Sequence, residues 1–225
     1  LSDEGTYHIT VGCTDMGTGC DTIIAQFAAD VLETPIDNIS VYGVDTDISP
    51  YDSGSYASST TYLTGMAAVK ACEQLRERII ALAAVRMNKD ASALTFDGEN
   101  VIDESDGAKM SLFDIATASM CNNEISLEVT YSHSSPVSPP PFMAACAEIE
   151  ADPETGAIEL LDYTACVDCG TVVNTNLARV QTEGGLLQGI GMTLYEDIWY
   201  DERGKNLSNS FMQYKVPSRL DTDRI

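Results

Sequence analysis

The hydrophobic pattern of the first part of the chain switches between the periods of strands and helices. "TYHITVGC" (6–13) and "NISVYGVDT" (38–46) are rich in β-branched residues and predict two strands. Between them, apolar residues recur at helical spacing over 23–32, with Asp21 as the expected N-cap. A longer apolar stripe predicts a second helix over about residues 61–87.

The pattern weakens in the middle of the chain. Residues 88–135 mix short strand-like pieces with polar turns, and "SHSSPVSPPP" (132–141) is typical of an extended, polyproline-like connector. We take this connector as a domain boundary, which gives a first domain over 1–135 and a second over 136–225.

The second half repeats the order of strands, loop and helix. Residues 142–152 and 157–170 predict two strands joined by the hairpin-like turn "PETG", and a helix is expected over about 177–195. Glycine is unfavourable inside a helix, so its repeated use indicates either close packing on a sheet or approach of a ligand toward which Gln188 turns. The glycines are Gly184, Gly185, Gly189 and Gly191.

Charge and hydropathy exclude several classes of partner. The formal net charge is −23, so nucleic acid and anionic lipid are repelled at long range, and we expect neither a polynucleotide nor a membrane partner. No apolar run approaches the ~20 residues of a membrane span.

The cysteines favour a reducing cytoplasm, since seven is an odd number and their spacing matches no compact disulfide framework. Cys166 and Cys169 form a CxxC pair in a strand-like segment, and we interpret them as buried small side chains. With only His8 and His133 available, the sequence predicts no protein-ligated metal site.

The stretch "GCTDMGTGCDT" (12–22) connects the first strand to the first helix. A helix start leaves N–H groups unpaired and carries a partial positive charge, and glycines let a phosphate reach it. A Walker loop is excluded, because no Lys and Ser/Thr follow the glycines. A dinucleotide-binding fingerprint stays open as the alternative, with Thr22 in the third glycine position and Asp45 as the ribose-binding acid.

A second group of donors stands at the start of the second helix. "SYASSTT" (55–61) offers hydroxyl and backbone N–H groups at a helix entrance. Two such entrances together with the glycine-marked helix suggest a long ligand with more than one phosphate.

Three blocks, "GCTDMGTGCDT", "YDSGSYASSTTYLTG" and "DCGTVVNTNLARVQTEGGLLQGIGMTLYED", closely resemble the molybdenum-binding part of the xanthine dehydrogenase and aldehyde oxidase family. The resemblance covers most of the chain apart from its middle. It implies an α+β fold of repeated two-layer α/β units with mixed sheets. It also implies molybdopterin with molybdenum as the cofactor, in the cytosine dinucleotide form that is common in bacteria.

By the same resemblance, three groups of residues are expected at the cofactor. Residues of the first block are expected to lie along the cofactor, and residues of the second block are expected to surround its pterin or phosphates. A glutamine of the third block is expected to form a hydrogen bond near the molybdenum. Many family members have glutamine at the position of Thr18, so that contact is expected to be lost or replaced by water. The residues are Met16, Gly17, Thr18, Gly19 and Cys20, then Tyr56, Ala57, Ser58, Ser59 and Thr60, and finally Gln188.

The family's catalytic base is a glutamate in a Gly-x-Gly-Glu type motif farther along the chain than Gln188, and no such motif occurs in these residues. We therefore expect a fragment or one piece of a split subunit, with no catalytic residue of its own and no activity in isolation. The expected partners are the rest of the molybdenum subunit and the iron–sulfur and flavin (FAD) domains or subunits. A second copy in a homo-oligomer is a further candidate partner.

The resemblance implies oxidation of an aldehyde or an N-heterocycle, such as a purine, a nicotinate or a xanthine-like compound, with water as the oxygen source. The alternatives are a Rossmann-like dinucleotide-binding module and a non-catalytic scaffold fragment.

Overall fold

The structure, a computed structural model, describes residues 1–43, 45–121 and 125–221, with only the backbone given at position 121. It divides into two compact units, Leu1–Ser138 and Pro139–Ile225. Each unit is described by itself below. No helix in the described ranges has both the length and the apolar character needed to cross a membrane.

The first unit begins with a β-α-β arrangement. Strands β1 (Tyr7–Thr10) and β2 (Ile39–Tyr42) are parallel, with Tyr7 opposite Ile39 and Thr10 opposite Tyr42. Helix α1 (Cys20–Leu32) connects them and is followed by a short 3-10 turn, Ile36–Asn38. Both strands and the helix are confirmed.

The expected N-cap of α1 is wrong. The helix starts one residue before Asp21, and its cap is Gly19 in the left-handed conformation (φ 76°), so Asp21 lies in the first helical turn. Glycine adopts the left-handed conformation without steric cost, so Gly19 can occupy the cap position instead of an aspartate.

Helix α2 (Thr60–Met87) confirms the second helix predicted from the long apolar stripe, and it packs closely on α1. At their contact, a Cβ added to Gly65 would stand 2.6 Å from Cε2 of Phe27, so a larger residue there would require the Phe27 ring to move. The core beneath both helices is mainly aliphatic and also contains one aromatic ring. Its members include Leu32, Ile79, Leu82, Val101 and Tyr7, each at most 1% exposed.

The middle segment forms a small antiparallel sheet and one further helix. The sheet has the order β3 (Leu94–Phe96), β4 (Asn100–Asp103), β5 (Lys109–Ser111), preceded by a 3-10 turn at Ala91–Ala93, and α3 (Leu112–Cys121) follows. The short strands were expected, whereas α3 was not. Its apolar side chains Leu112 and Ile115 join the core under α2.

The second unit contains a long hairpin and one helix. Strands β6 (Phe142–Ala151) and β7 (Ile158–Asp168) are antiparallel. Helix α4 (Thr175–Leu194) is capped by Asn174, whose side chain accepts a hydrogen bond from the N–H of Leu177. A 3-10 turn, Arg219–Asp221, ends the described part. These elements confirm the predicted hairpin and helix, and together with the first unit they confirm the α+β class.

Little of the second unit is buried. Among its described residues only Ile190 and Gly191 are buried. The interpretation of Cys166 and Cys169 as buried side chains is therefore wrong, because both are exposed on or just after a two-stranded hairpin.

The surroundings of the glycines in α4 mostly disagree with the alternative of close packing on a sheet. A Cβ added to Gly184, Gly185 or Gly189 would meet nothing within 4 Å, so no sheet packs against them in this unit. At Gly191, by contrast, an added Cβ would lie 2.8 Å from Cδ of Pro217. Close approach therefore explains one of the four glycines.

A salt bridge ties the end of α2 to the small sheet. Nζ of Lys89 lies 2.9 Å from Oδ2 of Asp103, a residue only 2% exposed, and the N–H of Ser105 donates to Asp103 Oδ1 at 2.8 Å. The Lys89 ammonium group and the Ser105 donors lower the pKa of Asp103 to about 2.

We predict that this pair stabilises the fold above about pH 4 and loses its effect as pH falls towards about 2, because the folded protein holds the ionised carboxylate more strongly than the unfolded chain does. Asp103→Asn should unfold at lower urea concentration than the wild type at pH 6, and the difference should shrink below pH 4. Asp30→Asn, at an exposed position of α1, is the control. Equal urea midpoints of Asp103→Asn and wild type at pH 6 would contradict this role.

Candidate functional site

The loops that carry the first two sequence blocks lie at one edge of the parallel pair. Residues 11–19 follow β1 and residues 43–59 follow β2, and parallel strands place their carboxyl ends side by side. In open α/β sheets, ligands bind outside this edge. The fold therefore brings together two segments that are about 40 residues apart in the sequence, as a β-α-β unit of ~30 residues or more requires.

The two loops touch through their backbones. A Cβ added to Gly12 would stand 2.3 Å from the carbonyl oxygen of Pro50 and 2.7 Å from Cβ of Asp52. Beside this contact, the N–H of Val11 donates to the carbonyl of Tyr42 at 3.0 Å and prolongs the ladder of the two strands. No side chain fits at position 12, so glycine there permits the close approach.

Asp52 then connects the second loop to α2. Its Oδ1 accepts a hydrogen bond from the N–H of Gly54 at 2.8 Å, and its Oδ2 accepts one from the hydroxyl of Thr64 at 3.2 Å. One carboxylate thus fixes both the turn before the helix and the first turns of the helix itself. The loop is held in place without a basic side chain.

Helices α1 and α2 run in a similar direction, with their N-terminal ends towards the two loops. Cys20 and Ile24 at the start of α1 share a cluster with Ala68 near the start of α2, while Leu32 at the end of α1 clusters with Ile79 and Leu82 farther along α2. The N-terminal ends of both helices therefore lie on the same side of the unit.

The entrance of α2 is open. Its cap residue is Ser59, whose hydroxyl donates to the carbonyl of Tyr56 at 2.8 Å, and the helix has no side-chain cap on its N–H groups. Ala57 and Ser58 precede it with φ of 54° and 55°, which is uncommon for residues other than glycine. Tyr56, Ala57 and Ser58 are exposed. A helix start with these properties can accept an anion from solvent.

The entrance of α1 is arranged differently. The N–H groups of Gly17 and Gly19 both donate to Oδ1 of Asp15, at 2.9 and 3.1 Å. Partial burial acts to raise the pKa of Asp15, but the backbone donors of Gly17, Gly19, Asp21 and Thr18 outweigh it, and the pKa falls below its usual value. The glycine loop is therefore an anion-binding turn that holds its own carboxylate.

The structure places the expected site residues as follows. Met16, Gly17 and Thr18 are exposed on the first loop, and Gly19 is partly buried. Cys20 is 5% exposed, so its side chain faces the interior and only its backbone borders the loop surface. The second group lies around the open entrance of α2, with Ser59 and Thr60 partly buried. Gln188 is exposed on α4, in the second unit.

The sequence analysis missed two side chains that hold the loops of the candidate site, Asp15 and Asp52. Each stands two residues before a glycine and accepts that glycine's N–H, Gly17 or Gly54, in the same kind of turn. An aspartate whose side chain hydrogen-bonds the backbone two residues on is a known turn signal. The motif Asp-x-Gly, which occurs in "DMG" and "DSG", would have revealed both.

Two loops and two helix starts on an α+β scaffold form the candidate site. The family described as "Molybdopterin cofactor-binding domain" matches residues 1–222. The chain belongs to this family, and the resemblance inferred from the three sequence blocks is confirmed. The alternatives of a Rossmann-like module and a scaffold fragment are not favoured.

Individual relatives agree with this assignment. The chain is 35% identical over 225 residues to "Probable hypoxanthine oxidase XdhD" of Escherichia coli strain K12, covering 100% of this chain and 23% of that protein. It is 31% identical to "6-hydroxypseudooxynicotine dehydrogenase complex subunit gamma" of Paenarthrobacter nicotinovorans, covering 97% and 28%. The chain thus spans about a quarter of the length of these relatives.

Solved structures show the same fold. Quinoline 2-oxidoreductase from Pseudomonas putida 86 aligns with a TM-score of 0.81 at 27% identity, covering 99% of this chain and 29% of that one. Reconstituted CO dehydrogenase from Oligotropha carboxidovorans aligns with a TM-score of 0.78 at 26% identity, covering 94% and 27%.

We predict that Gly12→Ala lowers the free energy of unfolding by about 1–3 kcal/mol, because the added methyl group forces the two loops apart. Urea unfolding followed by circular dichroism measures the change. Gly184→Ala, at a helical position with open space, is the control and should leave stability unchanged or raise it by up to about 1 kcal/mol. Gly12→Ala as stable as the wild type would show that the contact is not tight.

We also predict that Asp15→Asn speeds hydrogen exchange at the amides of Gly17 and Gly19 severalfold, since a neutral oxygen accepts these bonds less strongly than a carboxylate. Asp45→Asn, which weakens the bond from the N–H of Asp47 in another turn, is the control. Unchanged exchange at both glycines in Asp15→Asn would disprove the role of the carboxylate.

Proposed function

We propose that this chain is the part of a molybdenum hydroxylase that holds the molybdopterin cofactor, and that the edge formed by the two loops is where the cofactor lies. The observation that carries the proposal is the common placement of the first two sequence blocks. They meet at Gly12 and Asp52, and both present exposed backbone and hydroxyl groups.

The hydrogen-bond donors at this edge are of the types that bind phosphate groups. Thr18, Ser58 and Thr60 carry hydroxyls, and the uncapped start of α2 adds backbone N–H groups. No Lys or Arg precedes Lys70 in the sequence, so the two loops would bind an anion through neutral hydrogen-bond donors. Such donors are effective when the ligand is covered and water is excluded.

Asp15 modifies the expected contact at the glycine loop. Its carboxylate already accepts the N–H groups of Gly17 and Gly19, so those donors face the protein. We therefore assign the phosphate contacts to the entrance of α2, around Ser58, Ser59 and Thr60. Residues Met16 to Cys20 then contact the cofactor through their backbone and side chains, and Asp15 stabilises the conformation of this loop.

Gln188 is proposed to donate a hydrogen bond near the molybdenum. It is exposed on α4, and three glycines beside it, Gly184, Gly185 and Gly189, leave open space around that face of the helix. Open space with a lone amide group suits approach by a ligand. We propose the cytosine dinucleotide form of molybdopterin as the cofactor.

When bound, the molybdenum group supplies hydroxylation of an aldehyde or N-heterocycle with oxygen from water. We assign the binding and orientation of the cofactor to this chain and the proton-transfer base to another part of the protein. An N-heterocyclic substrate, such as a purine, a nicotinate or a xanthine-like compound, is favoured because relatives carry names with hypoxanthine, 6-hydroxypseudooxynicotine and quinoline.

The proposed partners are the remaining part of the molybdenum subunit and the domains or subunits that carry iron–sulfur clusters and FAD, with a homo-oligomer as a further option. Two relatives are named as a complex subunit and a large subunit, which supports an assembly. Exposed apolar side chains of the second unit, among them Phe142, Met143 and Ile149, support burial against another polypeptide. We place the assembly in the cytoplasm, since the six described cysteines are all free.

We predict that Ser58→Asp lowers the molybdenum content of the assembled protein to below about a tenth of the wild-type value, because a carboxylate beside a phosphate repels it strongly. Ser58→Asn has nearly the same shape without the charge, and asparagine also tolerates the φ of 55° at this position, so it should keep most of the metal. Metal analysis and pterin fluorescence of the purified complex give the readout.

Equal molybdenum and pterin contents in Ser58→Asp and Ser58→Asn would contradict the assigned site. An adenine-containing ligand without molybdenum in the wild-type protein would instead support a dinucleotide-binding module. Circular dichroism of each variant checks that the fold is kept.

A further inference from the structure

Two buried thiols face each other beneath the glycine loop of residues 14–19. Cys13 stands just before the loop, Cys20 opens α1 just after it, and their Sγ atoms are 4.0 Å apart. The two residues are only 1% and 5% exposed, and both cysteines are free. A bond between the two sulfurs would therefore join the two ends of the loop.

The fold holds both cysteines in place. A Cβ added to Gly43 would stand 2.8 Å from the carbonyl oxygen of Cys13, so the backbone at Cys13 packs on the loop after β2. Cys20 belongs to the first turn of α1. Both cysteines also share one core cluster with Ile24 of α1 and Ala68 of α2. The surrounding core thus keeps the two sulfur atoms beside each other.

The loop between the cysteines covers them from the solvent side. Its residues 14 and 16–18 are exposed, and the N–H groups of Gly17 and Gly19 donate to the carboxylate of Asp15 at 2.9 and 3.1 Å. Exposed loop hydrogen bonds of this kind break during local opening, which requires much less free energy than global unfolding. Such opening gives a small molecule access to the sulfurs.

The two sulfurs need only a short movement to bond. A disulfide has an S–S distance of about 2.05 Å, so from the present 4.0 Å each sulfur must move by roughly 1 Å. Rotation about the Cα–Cβ bonds of both side chains supplies a movement of this size. The contact is therefore close to a disulfide in geometry although both thiols are reduced.

Burial makes these thiols slow to react. It raises the pKa of Cys13, and it raises the pKa of Cys20 to about 12. The thiolate is the form that attacks an oxidant, and little of it is present at neutral pH. The pair consequently stays reduced unless an oxidant persists.

We propose that Cys13 and Cys20 form a reversible disulfide under sustained exposure to a peroxide, and that this bond restricts opening of the glycine loop. One sulfur attacks the O–O bond of hydrogen peroxide and becomes a sulfenic acid, which releases one water. The second thiol then displaces the sulfenic oxygen as a second water and forms the S–S bond. The thiols are oxidised by two electrons and the peroxide is reduced. The inference concerns the interior side of the loop and does not depend on the proposed cofactor role.

Hydrogen peroxide added to the reduced full chain at mildly alkaline pH tests the bond. Proteolytic cleavage on the N-terminal side of Asp15 places Cys13 and Cys20 on separate peptides, which stay joined only if a disulfide links them. Mass spectrometry of the folded wild type should find the joined peptides, and a dithiol reductant should separate them. Cys72 is the internal control, since it is also 5% exposed but lies in the other core cluster, and it should remain a free thiol.

Hydrogen exchange measures the effect on the loop. The amides of Gly17 and Gly19 should exchange at least about threefold more slowly in the oxidised wild type than in the reduced one, because joined ends open less often. Cys13→Ser and Cys20→Ser should each abolish this effect of peroxide, whereas Cys72→Ser should retain it. Circular dichroism of each chain checks that the fold is kept.

Two results would overturn the proposal. One is a folded, peroxide-treated wild type in which Cys13 and Cys20 are recovered unlinked, as free thiols or as sulfinic acids. The other is equal exchange at Gly17 and Gly19 before and after the disulfide has formed, which would show that the bond does not restrict the loop.

Discussion

The close contact between the backbone at Gly12 and the segment Pro50–Asp52 is the constraint on which the site depends. It is possible only because position 12 has no side chain, and it joins the loop after β1 to the loop after β2. Asp52 extends the connection to Thr64 in α2. Two sequence-distant segments thereby become one surface, and the entrances of both helices open beside it.

The electrostatics of this surface are unusual for a domain that holds a phosphate-containing cofactor. The first 69 residues lack Lys and Arg, and the aspartates at the edge serve as acceptors for backbone and hydroxyl groups. Binding by neutral donors limits long-range attraction and makes affinity depend on geometry and exclusion of water. A rigid edge is therefore more important here than a charged one.

The sequence predicted most elements, because the apolar periods of α1, α2 and α4 are long and the strands are rich in β-branched residues. Its glycines and hydroxyls also drew attention to the loops after β1 and β2, which we propose as the cofactor edge. It did not reveal α3, whose short apolar face is defined by packing under α2. It misjudged Asp21 and Cys166, since the cap of α1 and the exposure of the hairpin follow from tertiary arrangement.

Hydrogen exchange of the assembled protein, with and without molybdopterin, tests most directly whether the two loops form one cofactor surface. We expect slower exchange in the cofactor-bound protein at both 16–20 and 57–62, with the sheet β3–β5 unaffected. Protection confined to one of the two segments, or found only elsewhere in the chain, would contradict a shared binding edge.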